Sequence, residues 1–413
     1  MIKRATGILL LGLSLGACQN SAPKPDGSNA DSQLAEGIWQ AVIAQNDSTN
    51  LKFNFNLESL SDSEYVAHIK NAEEIIDAKV IRLAADSFKI EMPVFANYFL
   101  VKKEGNQLKG QYINPDAEDY YLPFNATAGV SERYENAQHL YPLPGYWKVV
   151  FNPGTEDESF GKAYFEWDQE KGVYGTIMTA TGDYRYLEGS GAAGKLYLSA
   201  FDGAHLFYLE AELHDTLQGH FYSGRSYHAT WIAYRDSTFE LPDPDTLTYL
   251  KEGYSKMEFA FPNLEGDTIA LSDPRFADKA VIIQISGSWC PNCYDESRYL
   301  SKVYEQYKDQ GLEIVCLSFE RTRDYATAQE RLAKMQKDLS IPYTVLLAGA
   351  TRDDKAAEKL PMLNHIMSYP TAIYLDKEHK LRKIHTGFSG PGTPVWEDFV
   401  SENDAFLQKL LNE

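Results

Sequence analysis

Between Ile38 and Arg235 the chain consists of short runs in which apolar and polar residues alternate, separated by turn clusters. Leu51-Lys52-Phe53-Asn54-Phe55-Asn56-Leu57 is one such run, and the second half of Leu206 to Leu213 is another; Glu104-Gly105-Asn106 and Phe201-Asp202-Gly203 are turn clusters. Alternation with period two places every second side chain on one face of a strand, so this region is committed to antiparallel all-β structure. It also repeats. Gly37-Ile38-Trp39-Gln40-Ala41-Val42 returns as Gly145-Tyr146-Trp147-Lys148-Val149-Val150, and Gln107-Leu108-Lys109-Gly110-Gln111-Tyr112 as Thr216-Leu217-Gln218-Gly219-His220-Phe221. Both recurrences come roughly a hundred residues later, which predicts tandem units. The units are expected at residues 35–129 and 142–236, joined by Tyr141-Pro142-Leu143-Pro144. Two small barrels, two sandwiches or one merged sheet all fit the pattern, but some closure is required, because so many free strand edges would aggregate.

The texture changes after Leu241-Pro242-Asp243-Pro244-Asp245, and residues 237–256 are expected to be a linker. Val281 to Ile285 and Leu312 to Leu317 are continuous apolar runs of the kind a buried strand shows. A helical stretch carrying Tyr299, Leu300, Val303, Tyr304 and Tyr307 lies between them and closes at Gly311. More helix is expected from Tyr325 to Leu339, strands at Tyr343–Leu347 and Thr371–Leu375, and an amphipathic helix from Trp396 to Leu411. Strands alternating with helices predict an α/β domain over residues 257–413 with a parallel component. The fold class is therefore multidomain: a tandem-repeat, antiparallel all-β region followed by a C-terminal α/β domain.

The chemistry is concentrated in Trp289-Cys290-Pro291-Asn292-Cys293, between the first buried strand and its helix. Two intervening residues in a first helical turn bring both sulfurs within disulfide range. The unpaired N–H groups and dipole of the helix N-terminus stabilise a thiolate on the first cysteine. Pro291 suits that turn, since its missing N–H would have had no helical partner. Cys290 is thus the expected exposed nucleophile, and Cys293 the resolving thiol that attacks the mixed disulfide. A zinc site would need two further ligands, and His365, His379 and His385 are scattered, so no metal is expected. A structural disulfide without redox chemistry is the other competing reading. Cys316, inside an apolar strand, is expected to be a buried inert thiol.

Residues from about 257 to the C-terminus resemble the thioredoxin superfamily, and more narrowly the TlpA/ResA-like envelope thiol–disulfide oxidoreductases. Beyond the two cysteines, Phe261-Pro262-Asn263-Leu264-Glu265-Gly266-Asp267 through Leu271 is similar to that family's N-terminal hairpin. Gln284, six before Cys290, stands where the family has an amide; Glu296 matches its glutamate near the active site; Tyr369-Pro370-Thr371 is similar to its cis-proline loop, and Gly387 to the glycine that follows. Residues 321–364 correspond to its insertion before that loop. The resemblance implies a dithiol/disulfide enzyme that needs no cofactor besides the Cys290–Cys293 pair. It implies a cis bond before Pro370 that sets backbone against the sulfurs, and a Glu296 that exchanges a proton with Cys293 or tunes the pair; a solvated surface glutamate is the alternative. Trp289 and Tyr369 would shape the docking surface, with Asn292 and Pro291 between the cysteines. The implied activity is reduction of extracytoplasmic protein disulfides, with electrons supplied by a membrane protein. The alternatives are a ligand- or partner-binding lipoprotein with an accessory redox domain, and a thiol peroxidase, although the residues before Cys290 do not fit a peroxidatic motif.

The N-terminus gives the location. Lys3 and Arg4 precede an apolar run, Ile8 to Ala17, that is too short to span a bilayer and ends Leu15-Gly16-Ala17-Cys18, like a bacterial lipobox. Residues 1–18 are expected to be a lipoprotein signal with Cys18 lipidated, and residues 19–34 a flexible tether. Gln19 is not the aspartate of inner-membrane retention, so a lipid anchor in the outer membrane facing the periplasm is expected. A net charge of −20 without a basic stripe argues against nucleic-acid partners.

Overall fold

The alternating region closes into barrels. In the computed structural model, which describes residues 33–61, 63–134, 143–169, 172–192, 194–351 and 356–413, the first eight strands form an up-and-down ring. These are β1 (Gly37–Ala44), β2 (Asn50–Ser59), β3 (Glu64–Asn71), β4 (Glu74–Arg82), β5 (Ser87–Glu91), β6 (Tyr98–Glu104), β7 (Gln107–Ile113) and β8 (Tyr121–Ala128). Each pairs antiparallel with the next, and β8 returns to β1 with Ala128 opposite Trp39. The inward face is filled by fully buried Trp39, Phe53, Phe55, Phe88, Phe99 and Phe124, so the barrel encloses a packed core and not a lumen. Cys18 and the expected tether up to residue 32 lie outside the described residues.

The second unit repeats the plan with β9 (Gly145–Phe151), β10 (Ser159–Asp168), β11 (Gly172–Thr179), β12 (Gly182–Asp183), β13 (Leu187–Ala192), β14 (Lys195–Phe201), β15 (Leu206–Leu213), β16 (Leu217–Ser223) and β17 (Tyr227–Arg235). β17 and β10 both pair with β9, and β10 with β11, so this sheet also closes, with β12 attached as a short extra strand on β11. Of the three arrangements the sequence left open, two barrels is the one observed. The repeat anchors have the same physical use in both. Trp39 Nε1 donates to the Ala35 carbonyl and Trp147 Nε1 to that of Leu143, each at 2.9 Å. A Cβ on Gly110 would lie 1.9 Å from the Leu100 carbonyl oxygen, and one on Gly219 1.8 Å from that of Glu210.

The α/β domain opens with the hairpin β18 (Ala260–Pro262) and β19 (Thr268–Ala270), followed by β20 (Ala280–Ser286), α1 (Pro291–Tyr307), β21 (Leu312–Glu320), α2 (Tyr325–Asp338), β22 (Thr344–Ala350), α3 (Ala356–Lys359), β23 (Thr371–Leu375), β24 (Leu381–Thr386) and α4 (Trp396–Asn412). Its sheet runs β22-β21-β20-β23-β24; the first three strands are parallel, and β23 and β24 each run antiparallel to their neighbour. This is a thioredoxin-like arrangement, with the catalytic helix expected after the central strand β20. The segment expected as a linker does not hang free: Lys251 N–H donates to the Met362 carbonyl at 2.8 Å, Thr386 N–H to that of Pro244 at 3.0 Å, and His385 pairs with Asp245 at 2.7 Å.

Leu34–Glu413 form one compact unit. A single apolar cluster runs from Trp39, Phe53 and Phe99 of the first barrel through Phe201 of the second to Leu300, Leu332 and Leu407 of the α/β domain. The units that follow one another in sequence are thus not independent: the first barrel and one face of the α/β sheet share a core.

Candidate active site

β20 is buried at every residue and hands the chain through Gly287-Ser288-Trp289 to Cys290, the N-cap of α1. Cys290 has extended backbone angles, φ −106° and ψ 112°, and its Sγ accepts a hydrogen bond from the Cys293 N–H at 3.2 Å. The sulfur thus takes the place of a capping serine or aspartate oxygen, where orphan helix N–H groups and the dipole favour negative charge. Cys290 and Cys293 are joined in a disulfide with their Cα atoms 5.2 Å apart. Pro291 occupies the first helical turn.

The loop before the cysteines is held from below by a residue outside the cysteine motif. Glu320, at the end of β21, is buried and receives hydrogen bonds from Ser288 N–H at 3.0 Å, Ser288 Oγ at 2.6 Å and Ser318 Oγ at 2.7 Å. Burial pushes its carboxyl up, and the three donors pull the other way. Trp289 folds back over Gly287 and donates Nε1–H to the Phe319 carbonyl at 2.9 Å; a Cβ on Gly287 would lie 2.4 Å from that nitrogen. Arg321 stacks on the Trp289 ring at 4.0 Å, and Tyr369 meets its edge at 5.4 Å.

Glu296 is buried, so the surface-glutamate alternative falls. Its Oε2 accepts from Gln284 Nε2 at 2.8 Å, and Gln284 Oε1 accepts from Tyr343 at 3.2 Å. Two residues singled out separately in the sequence are therefore partners. Burial raises the Glu296 carboxyl to about 8, opposed only in part by the Gln284 hydrogen bond. Tyr369 precedes Pro370 through a cis peptide bond, and its carbonyl oxygen lies 3.2 Å from Cys290 Sγ. Burial raises its phenol to about 12. Cys316 is fully buried and its thiol is pushed up by desolvation.

Cys290 is not the exposed nucleophile its motif implies: it is only 5% accessible. The Tyr369 loop and the second barrel both crowd it. The barrel's β11–β12 turn lies on the loops around the cysteines: Ser368 Oγ donates to the Thr181 carbonyl at 2.7 Å, and Asn292 Nδ2 donates to Asp183 O at 3.1 Å and to Phe388 O at 3.3 Å. Asn292, taken as part of the redox motif, thus docks the barrel. Arg185 secures the contact. Its Nη1 donates to the Pro291 carbonyl at 2.8 Å, and the guanidinium pairs with Asp295 on α1, Glu74 on β4 and Asp202, whose Oδ2 is 3.4 Å from Nε. Burial lifts the Asp295 carboxyl to about 7 despite Arg185, whereas Asp202 is held down at about 2, where His205 and Arg185 outweigh its desolvation. Among the described residues no cluster of three or more His, Cys, Asp or Glu could hold a metal, and no helix is long and apolar enough to cross a membrane.

Residues 253–384 match the AhpC/TSA family model. Over 129 residues, 31% of this chain, the sequence is 30% identical to the thiol-disulfide oxidoreductase ResA of Bacillus thuringiensis, spanning 66% of that protein's length. The ResA of Halalkalibacterium halodurans is 27% identical over 150 residues, covering 36% of this chain and 76% of the relative. The C-terminal domain is ResA-like in sequence. A solved thiol-disulfide oxidoreductase from Bacteroides fragilis aligns with 37% of this chain and 99% of its own, with a TM-score of 0.29 and 17% identity. Each of these matches leaves most of the chain uncovered, and the family model lies wholly outside the two barrels.

Proposed function

We propose that the chain is a thiol–disulfide oxidoreductase of the bacterial envelope that reduces disulfides of extracytoplasmic proteins. In this reading Cys18 carries a lipid anchor in the outer membrane, the body faces the periplasm, and a membrane protein returns electrons to the Cys290–Cys293 pair. The observation that carries the reading is the capping geometry: Cys290 Sγ receives the Cys293 N–H at the start of α1 while bonded to Cys293 Sγ. A sulfur so placed leaves readily as a thiolate, and its partner is positioned to complete the exchange. The ResA relatives, named thiol-disulfide oxidoreductases, support the exchange chemistry; the reductive direction is part of the proposal.

Equilibration of the full chain with glutathione buffers tests it. A reductase is expected to lie towards the thioredoxin end of the scale, about −270 mV; a value near the strong oxidants, about −120 mV, overturns the reductive direction. In the same protein, Cys293→Ala should accumulate mixed disulfides through Cys290. A peroxidase would instead keep consuming hydrogen peroxide in Cys293→Ser.

A further inference from the structure

The two barrels differ at one telling connection. In the first, β3 passes to β4 through Ala72-Glu73 alone, with Asn71 opposite Glu74. In the second, the corresponding passage from β11 to β13 leaves the barrel ladder through residues 180–186, forming β12 on the way. That excursion docks on the residues around Cys290 and lines the cleft beside it. It does not seal the site. A cleft of about 340 Å³ remains beside the disulfide, walled by Tyr184, His205 and Phe207 of the second barrel and by Trp289, Met367 and Tyr369 of the α/β domain. This is near the lower end of small-molecule sites, roughly 300–1,000 Å³. The wall is not built to swing away. Moving it would strip Arg185 from Asp295 and from the Pro291 carbonyl, and Asn292 from Asp183, leaving buried charge and polar groups unpaired.

We propose that the second barrel is a selectivity wall that restricts Cys290 to disulfides with slim flanks, carried by a low-molecular-mass thiol or on an extended unfolded segment. Disulfides set in the surface of a folded protein are excluded. The proposal rests on the exchange reading above and narrows its substrates. The Cys290 thiolate attacks one sulfur of the substrate disulfide, whose other sulfur leaves as a thiolate and takes up a proton. The Cys293 thiolate then attacks Cys290, closing the enzyme disulfide and releasing the second thiol. Two electrons pass from the dithiol to the substrate.

The test uses the full chain, reduced with dithiothreitol and freed of it. It is mixed separately with oxidised glutathione, with a folded protein bearing a surface disulfide, and with the disulfide-linked peptide pair excised from that protein. Formation of the Cys290–Cys293 bond is followed. Glutathione and the peptide pair should each react about a hundredfold faster than the folded protein, and whichever is faster identifies the source of the slim disulfide. Thr181→Trp places bulk at an exposed position on the cleft mouth and should slow the small disulfides about tenfold. Met367→Ala, on the opposite and 41% exposed rim, should speed the folded protein. Equal rates for all three substrates, or no effect of either variant, overturns the wall while leaving the exchange reading intact. If none of the three oxidises the dithiol, the exchange reading itself fails and the wall with it.

Discussion

At the scale of single residues, Glu296 shows how burial turns a side chain into a pH-dependent element. Its carboxyl ordinarily titrates near 4.5 and is lifted to about 8 by desolvation, which the Gln284 hydrogen bond offsets only partly. Between those two values the folded protein keeps a proton that the unfolded chain has released, so stability falls as pH rises through this window and levels off above it. Below pH 4.5 both states are protonated and the group contributes nothing. Glu296→Gln keeps the shape and can still hydrogen-bond Gln284, but it removes the penalty. The variant should therefore match the wild type in urea midpoint at pH 4 and exceed it by about 1 kcal/mol or more at pH 8. A second readout separates chemistry from packing. If Glu296 exchanges a proton with Cys293, the rate at which Cys293 resolves a Cys290 mixed disulfide will lose its inflection near pH 8 in the variant. A purely structural Glu296 would change the midpoints and leave that profile alone.

At the scale of elements, the repeated glycines measure how tightly the strands approach. Gly219 faces Ala211 on β15 and Trp231 on β17, and a side chain there would meet the Glu210 carbonyl and the Ala211 Cα. Gly219→Ala should cost about 2 kcal/mol or more, because β15 and β16 must separate to admit even one methyl group. Gly110→Ala should lose a similar amount in the first barrel, and chemical denaturation of both variants checks the equivalence. These glycines and the tryptophan anchors were legible in the sequence because each acts within its own strand or against an adjacent one. That some closure was needed was legible, but its form as a barrel was not, since pairing Trp39 with Ala128 joins strands from opposite ends of a unit. In the same way, the cysteines, Gln284, Glu296 and Pro370 could be read from a strand–helix motif and its relatives. The signal around Ala180-Thr181-Gly182-Asp183 gives only a turn; nothing local says that the turn ends on another domain's active site. Glu320 could have been noticed as an acid closing an apolar run four residues after Cys316, but Arg185 and Asp295 become meaningful only once three distant elements meet.

At the scale of the whole molecule, Arg185 ties the parts together. Its side chain is 3% exposed and faces carboxylates from the first barrel, the second barrel and the catalytic helix, with the Tyr294 ring 5.4 Å from its guanidinium carbon. A buried ion pair gives little net stability compared with an apolar contact, but removing one partner leaves charge stranded. Arg185→Met should therefore destabilise the protein by about 3 kcal/mol at pH 8. The deficit should shrink on acidification, and the sign follows from Asp295. Its carboxyl is already lifted to about 7 with Arg185 beside it. Without the guanidinium it rises further, so the stability lost as pH climbs from about 4 keeps growing beyond the point where the wild type levels off. The gap between variant and wild type thus widens from pH 5 to pH 8. Adding Asp295→Asn to Arg185→Met removes one stranded charge and should recover part of the loss, a coupling that a double-mutant cycle of urea midpoints would measure. The same substitution loosens the wall over Cys290, so iodoacetamide should alkylate the reduced Cys290 thiol faster in Arg185→Met than in the wild type. Slower or unchanged alkylation in a folded variant would mean that Asn292 and Ser368 hold the second barrel in place without the arginine.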